Sequence, residues 1–69
     1  MIFKLKEGEE YIHLIQLLKL LGIAESGAMA QNMVLDGLVK VNHIVDYRKR
    51  AKIRKNDVVQ VLGKTIEIL

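Results

Sequence analysis

Apolar and polar residues alternate at the start of the chain. "MIFKLKE" puts Ile2, Lys4 and Lys6 on one face and Phe3 and Leu5 on the other, which predicts a short strand. The following "GEE" ends it, and Glu9 and Glu10 suit the positive end of a helix. From Tyr11 to Leu21 the period changes. At about 100° per residue, Leu17, Leu21, Leu14, Leu18, Tyr11 and Ile15 fill one arc, with His13, Gln16 and Lys19 opposite. Ile12 and Leu20 fall in the polar arc, as exposed aliphatics or as contacts to another chain. Gly22 is placed to cap this helix at its C-terminus. A second helix is predicted from Ser26 to Asp36. The Ser26 hydroxyl can accept from an orphan first-turn amide, Met29, Ala30, Met33 and Val34 form the apolar stripe, and Gly37 supplies the exit.

The remainder reads as strands. "LVKVN" alternates, Asn42-His43 is a two-residue turn in which Asn tolerates positive φ, and "IVDY" returns as the partner strand. "NDVVQVLGKTIEIL" predicts a second hairpin around Gly63-Lys64, with Val59 and Val61 alternating before it and Ile66 and Ile68 after it. The order is β-α-α-β-β-β-β. This is an α+β domain, two helices packed on one face of a small antiparallel sheet of four to five strands.

At 69 residues the chain is read as a single domain, residues 1–69, close to the lower size limit for independent folding. It has no Cys, which excludes disulfides and thiolate metal sites. No apolar run approaches the roughly 18 residues of a membrane span, and the N-terminal stretch lacks a signal-peptide core, so the cytoplasm is the expected location and no membrane partner is expected.

Catalytic patterns are missing. His13 and His43 have no ligand spacing around them, so no metal site and no cofactor are expected. Ser26-Gly27 does not resemble a nucleophile elbow, and no phosphate-cradling Gly-rich loop exists. Adjacent Glu9 and Glu10 would point apart, which suits acid–base work poorly. A sheet with two helices at this length leaves little room for a substrate pocket. The chain is read as not an enzyme, with no small-molecule substrate.

Charge changes the picture. The net charge is +3, but residues 1–36 carry three Lys against five acids, whereas residues 37–69 carry eight Lys or Arg against three acids. Such asymmetry points to a polyanionic partner. The focus is "YRKRAKIRKND", Tyr47 to Asp57, in which six of the eight residues from Arg48 to Lys55 are basic. Read as extended chain, Arg48, Arg50, Lys52 and Arg54 project to one side, while Tyr47, Ala51 and Ile53 project to the other and Ile53 anchors in the core. Alternate side chains then recur every ~6.6 Å, a step that can track a phosphate backbone. An edge strand kept soluble by charge is the bland alternative. It needs only one or two charges, and half of these are Arg, whose fork suits phosphate. With one Phe and two Tyr, and only Tyr47 adjoining the run, aromatic stacking has weak support and contact with backbone and shape is favoured.

The run from Ser26 to Val59 resembles the RNA-binding domain named after ribosomal small-subunit protein S-four, which carries the alpha-L motif. The resemblance rests on the Ser opening the second helix, Ala30 four residues on, "GLVKVN" turning helix into strand, and "IRKND", in which Asn56 takes the family's Gly position before Asp57. It is strongest to the small stand-alone bacterial members, YaaA-like and YbcJ-like, which share the "SG" start and the Arg/Lys cluster. The resemblance implies a module that grips structured RNA, commonly ribosomal or transfer RNA. Many members carry Arg or Lys straight after the Ser and again near Gln31 and Asn32. Here Gly27, Gln31 and Asn32 are neutral, which moves the fixed charge to the basic segment and leaves the helix start bare for a phosphate.

The expected function is recognition of structured RNA, rRNA or tRNA, or a ribosome-associated complex, by a monomer with ribosomal proteins as further partners. Arg48, Lys49, Arg50 and Lys52 are the main phosphate-contact candidates, and Lys40, Arg54 and Lys55 are secondary. Ser26, Gly27, Gln31 and Asn32 line the helical side. The rival is a protein-interaction module whose basic segment meets an acidic partner, with Ile12 and Leu20 in the contact. A DNA-binding helix-turn-helix is weaker, because the second helix contains no Lys or Arg.

Overall fold

The computed structural model describes all residues 1–69. The chain opens with β1 (Ile2–Phe3) and turns at Gly8, where Glu9 N donates to Lys6 O and Lys6 N to the Glu9 carboxylate. It then extends as β2 (Tyr11–His13) before entering α1 (Leu14–Leu20). The first helix is therefore shorter than its apolar period suggests. Tyr11, Ile12 and His13 are drawn into a strand by pairing with a distant segment, a tertiary override of local propensity. Glu9 and Glu10 consequently lie well ahead of the helix start. α1 ends through Leu21 and Gly22, whose amides bond back to Leu17 O and Lys19 O, with Gly22 at positive φ.

The second helix runs as the sequence predicts. α2 (Gly27–Leu35) has Ser26 as N-cap, its hydroxyl accepting from Met29 N at 3.1 Å, and Asp36 as C-cap. Ala30, Met33 and Val34 are buried, while Met29 is exposed. After Gly37 come β3 (Val39–Val41) and β4 (Ile44–Val45), joined by Asn42 and His43 at φ 51 and 71, the twist that a two-residue hairpin turn requires. Then follow β5 (Lys52–Arg54), β6 (Val58–Val61) and β7 (Lys64–Ile68). The last hairpin turns on Leu62-Gly63, one residue earlier than predicted.

These strands form two sheets. The larger has order β1-β7-β6-β3-β4 and is antiparallel except at its edge, where β1 runs parallel to β7. The smaller pairs β2 with β5 antiparallel. The core lies between the helices and the sheets. Leu14, Leu17, Leu18, Ala30, Met33 and Val34 meet Val39, Val59, Val61, Ile66 and Ile68 from the larger sheet and Ile12 and Ile53 from the smaller. The α+β architecture with two helices over one face is thus present, with two extra short strands. No helix is long and apolar enough to cross a membrane.

Two polar devices fix the turns. Asn42 Nδ2 donates to Asp57 Oδ1 at 3.0 Å and Asn42 Oδ1 accepts from Val58 N, while Asp57 Oδ2 accepts from Arg54 N at 2.7 Å. This ties the first hairpin turn to the turn after β5, where Asn56 sits at φ 75. Gly37 has φ 76, and a Cβ there would lie 3.2 Å from the Tyr47 ring.

Gly37→Ala therefore combines left-handed strain with a crowded ring and should cost about 1–3 kcal/mol. Urea unfolding of Gly37→Ala, Tyr47→Ala and the double variant checks it: the crowding part, but not the backbone part, should disappear when Tyr47 is removed.

Candidate nucleic-acid interface

The basic segment is built in two parts. From Arg48 to Ala51 it turns, Ala51 N donating to Arg48 O at 3.3 Å, with Lys49 and Arg50 at the exposed apex. From Lys52 to Arg54 it is a strand whose middle residue, Ile53, is fully buried. The alternation expected for Arg48 to Arg54 thus holds for Lys52 and Arg54 only; Arg48 opens the turn and Arg50 sits at its apex. Tyr47 is exposed and packs on Gly37, whereas Ala51 and Ile53 do face the core. Ala51 O also accepts from Leu14 N at 2.9 Å, which fastens the segment to the start of α1.

Pairing with β2 adds side chains the sequence reading did not include. Ile12 lies opposite Ile53 and is 4 % exposed, which corrects its reading as an exposed aliphatic. Leu20, the other such residue, is exposed. On the outer face Tyr11 lies opposite Arg54 and His13 opposite Lys52. Lys52 Nζ stands 5.0 Å and Arg54 Cζ 5.6 Å from the Tyr11 ring centroid. The Tyr11 and His13 rings are 5.4 Å apart, tilted by 44°. An aromatic side chain does therefore interleave with the basic run, but it is Tyr11 and not Tyr47. The signal was the two-residue period of Tyr11-Ile12-His13, hidden because three residues also fit the helix that follows.

Beside this ribbon an open groove of about 440 Å³ runs between α1, the start of α2 and the apex of the basic turn. His13, Gln16 and Lys19 line it from one side, Gly27 from another, and Lys49 and Arg50 close it; no acidic residue lines it. Gly27 has nothing within 4 Å of where a Cβ would be, so the floor at the start of α2 is open. Three cationic side chains, Lys19, Lys49 and Arg50, then line one space beside Gly27, the first residue of α2, an arrangement suited to an anion. Gln16 and Lys19 belong to this groove by geometry, although the helical pattern marked them only as polar.

The other candidates are spread out. Ser26 serves α2 as its cap, and Gln31 and Asn32 are not among the groove's lining residues. Lys40 lies in a separate cleft with Gln60 and Lys64. Arg54 and Lys55 border a third, with Lys4, Lys6, Glu9 and Glu10. Arg48 is the one cation with an acid partner. Its Nη2 lies 2.8 Å from Asp46 Oδ2 and its Nε 3.1 Å from Asp46 Oδ1, and Arg48 N donates to the same carboxylate. Much of its charge is answered within the chain.

A family model described as the S4 domain matches residues 3–69. The chain is 39% identical over 59 residues to YbcJ of Escherichia coli (strain K12), covering 86% of this chain and 84% of that protein; YbcJ of Shigella flexneri gives the same values. It also superposes on the solution structure of YbcJ from E. coli with a TM-score of 0.71 and 37% identity, over 99% of this chain and 85% of that one. That structure is described as revealing an αL motif involved in RNA-binding.

The Asp46–Arg48 pair carries a pH dependence. Side-chain hydrogen bonding from Arg48 holds the Asp46 carboxyl below its ordinary value of 3.8, against the opposing effect of partial burial. The stabilisation is complete above the unfolded-state value and is lost as pH falls through the lower folded one. Asp46→Asn should therefore lower Tm at neutral pH, with the gap to wild type closing below about pH 4. Melting curves at graded pH check this, and a gap that persists in acid would reject the linkage.

Proposed function

The chain belongs to the S4 domain family, and from that premise we propose that it is a non-catalytic module that binds structured RNA. The observation that carries this reading is the acid-free groove between Lys19, Gly27, Lys49 and Arg50, continued by the outer face of the β2–β5 ribbon with Lys52 and Arg54. Six cations within eight residues, with only Arg48 paired to an acid, form the electrostatic footprint of a phosphate backbone. The related YbcJ structure, with its RNA-binding αL motif, supports the same ligand class.

The mechanism is positional. Phosphates seat in the groove, where Lys49 and Arg50 supply charge and the first turn of α2 supplies amides. Lys52 and Arg54 extend contact along the strand, and Lys40 and Lys55 act at longer range. Ribosomal or transfer RNA is the natural target, in the cytoplasm, with the chain acting as a single monomeric domain and ribosomal proteins as neighbours in the complex. The rival reading, an acidic protein partner met by the basic segment with Ile12 and Leu20 in the contact, loses support because Ile12 is buried beneath the ribbon.

Binding should be strongly salt-dependent. With about four phosphates neutralised, log affinity against log salt should fall with a slope of roughly −3 to −4. Filter binding to transfer RNA and to a ribosomal RNA fragment across a salt series measures it, and a flat response to both would remove the electrostatic mechanism.

Position matters as much as charge. Lys49→Glu with Arg50→Glu should weaken binding by about a hundredfold or more, whereas Arg48→Glu, at the Asp46-paired site, should cost clearly less. Gly27→Leu should weaken binding by blocking the groove floor. Equal losses at Arg48 and at the Lys49/Arg50 pair, or full affinity in Gly27→Leu, would place the phosphates elsewhere.

A further inference from the structure

Building on the RNA-binding reading, we propose that the outer face of the β2–β5 ribbon is a stacking site for one unpaired base, so that the preferred RNA is a duplex interrupted by an unpaired nucleotide. The groove accounts for phosphate. It does not account for two aromatic rings placed on the same exposed face as the cations.

Tyr11 and His13 alternate with the cross-strand partners Arg54 and Lys52, and the buried Ile12–Ile53 pair beneath holds all four side chains in one row. The rings are 5.4 Å apart and half-buried, which fixes them, while Lys52 and Arg54 are exposed. Neither cation has an acid partner; both end over the Tyr11 ring, at 5.0 and 5.6 Å. A cation on a ring at the protein surface is held weakly, more weakly than a nucleobase stacks on the same ring. A base can therefore displace the cationic ends from Tyr11, and the displaced Lys52 and Arg54 are free to meet the phosphates on either side of that base.

The site is joined to the phosphate groove through His13, which contributes to both. A strand whose backbone lies on Lys49 and Arg50 thus has a ring beside it at the next step along the ribbon. A base inside a duplex has both faces covered by its neighbours and cannot use that ring; a bulged or flipped-out base can. Stacking on the Tyr11 ring uses the π-face that every base has, so the selection is for an unpaired nucleotide and not for its identity.

The test compares a fully paired RNA duplex with the same duplex carrying a single 2-aminopurine bulge. The wild-type chain should bind the bulged duplex about fivefold or more tightly, and 2-aminopurine fluorescence should fall on binding as the base stacks. Tyr11→Phe should keep both effects. Tyr11→Val, which retains strand propensity, should bring the ratio of the two affinities to about one and abolish the fluorescence change. The fluorescence measurement on wild type stands even if Tyr11→Val fails to fold. Equal, salt-dependent binding of both duplexes, with no fluorescence change, would overturn the stacking site and leave the RNA-binding reading intact. Binding of neither duplex nor of transfer RNA would overturn both.

Discussion

Ile53 and Ile12 face each other across the two-stranded ribbon and are buried together under α1, and the presentation of the basic segment depends on that pair. Burying a side chain of this size contributes about 1.5–3 kcal/mol. Two like charges at the ~6.6 Å spacing of alternate strand residues repel by roughly 0.6 kcal/mol in water before salt screening. The apolar anchors therefore outweigh the mutual repulsion of Lys52 and Arg54, and the strand holds its shape although neither side chain is ion-paired with an acid. Ala51, buried beside them, and the Leu14 N to Ala51 O hydrogen bond extend the same restraint into the turn that lifts Lys49 and Arg50.

That arrangement separates charge into two kinds. Arg48 is engaged by Asp46 and contributes to local order. Lys49, Arg50, Lys52 and Arg54 have no acid partner and face solvent. A dense basic run in sequence is thus divided by geometry into one structural member and several free ones. The division follows from where the chain turns, and Asp46 is the residue that makes it.

Elements whose signals are local were legible in the sequence. The Ser26 cap, the buried face of α2, the Asn42-His43 turn and the inward-facing valines and isoleucines of the last strands all follow from neighbours a few residues apart. Features set by distant partners were not legible. Tyr11–His13 reads as the first turn of a helix until Lys52–Arg54 is placed beside it, and the parallel pairing of β1 with β7 leaves no trace in either segment alone. The same gap explains the site: the basic residues were visible as a run, whereas Tyr11, His13, Gln16 and Lys19 join it only through the fold.

The parallel β1–β7 edge and the β2–β5 ribbon also bear on how the molecule comes into being. Met1 N donates to Thr65 O and Ile2 pairs with Glu67, across nearly the whole chain, and Tyr11 pairs with Arg54 across most of it. Loop-closure entropy must be met before such contacts give anything back, so folding is slow for a domain with this much helix. The two helices and the β6–β7 hairpin can form from local contacts, but the ribbon cannot. A nascent or partly unfolded chain can thus hold native helices while the aromatic and cationic row is still unassembled. The candidate interface therefore exists only once its distant segments have met, which couples RNA recognition to completion of the fold.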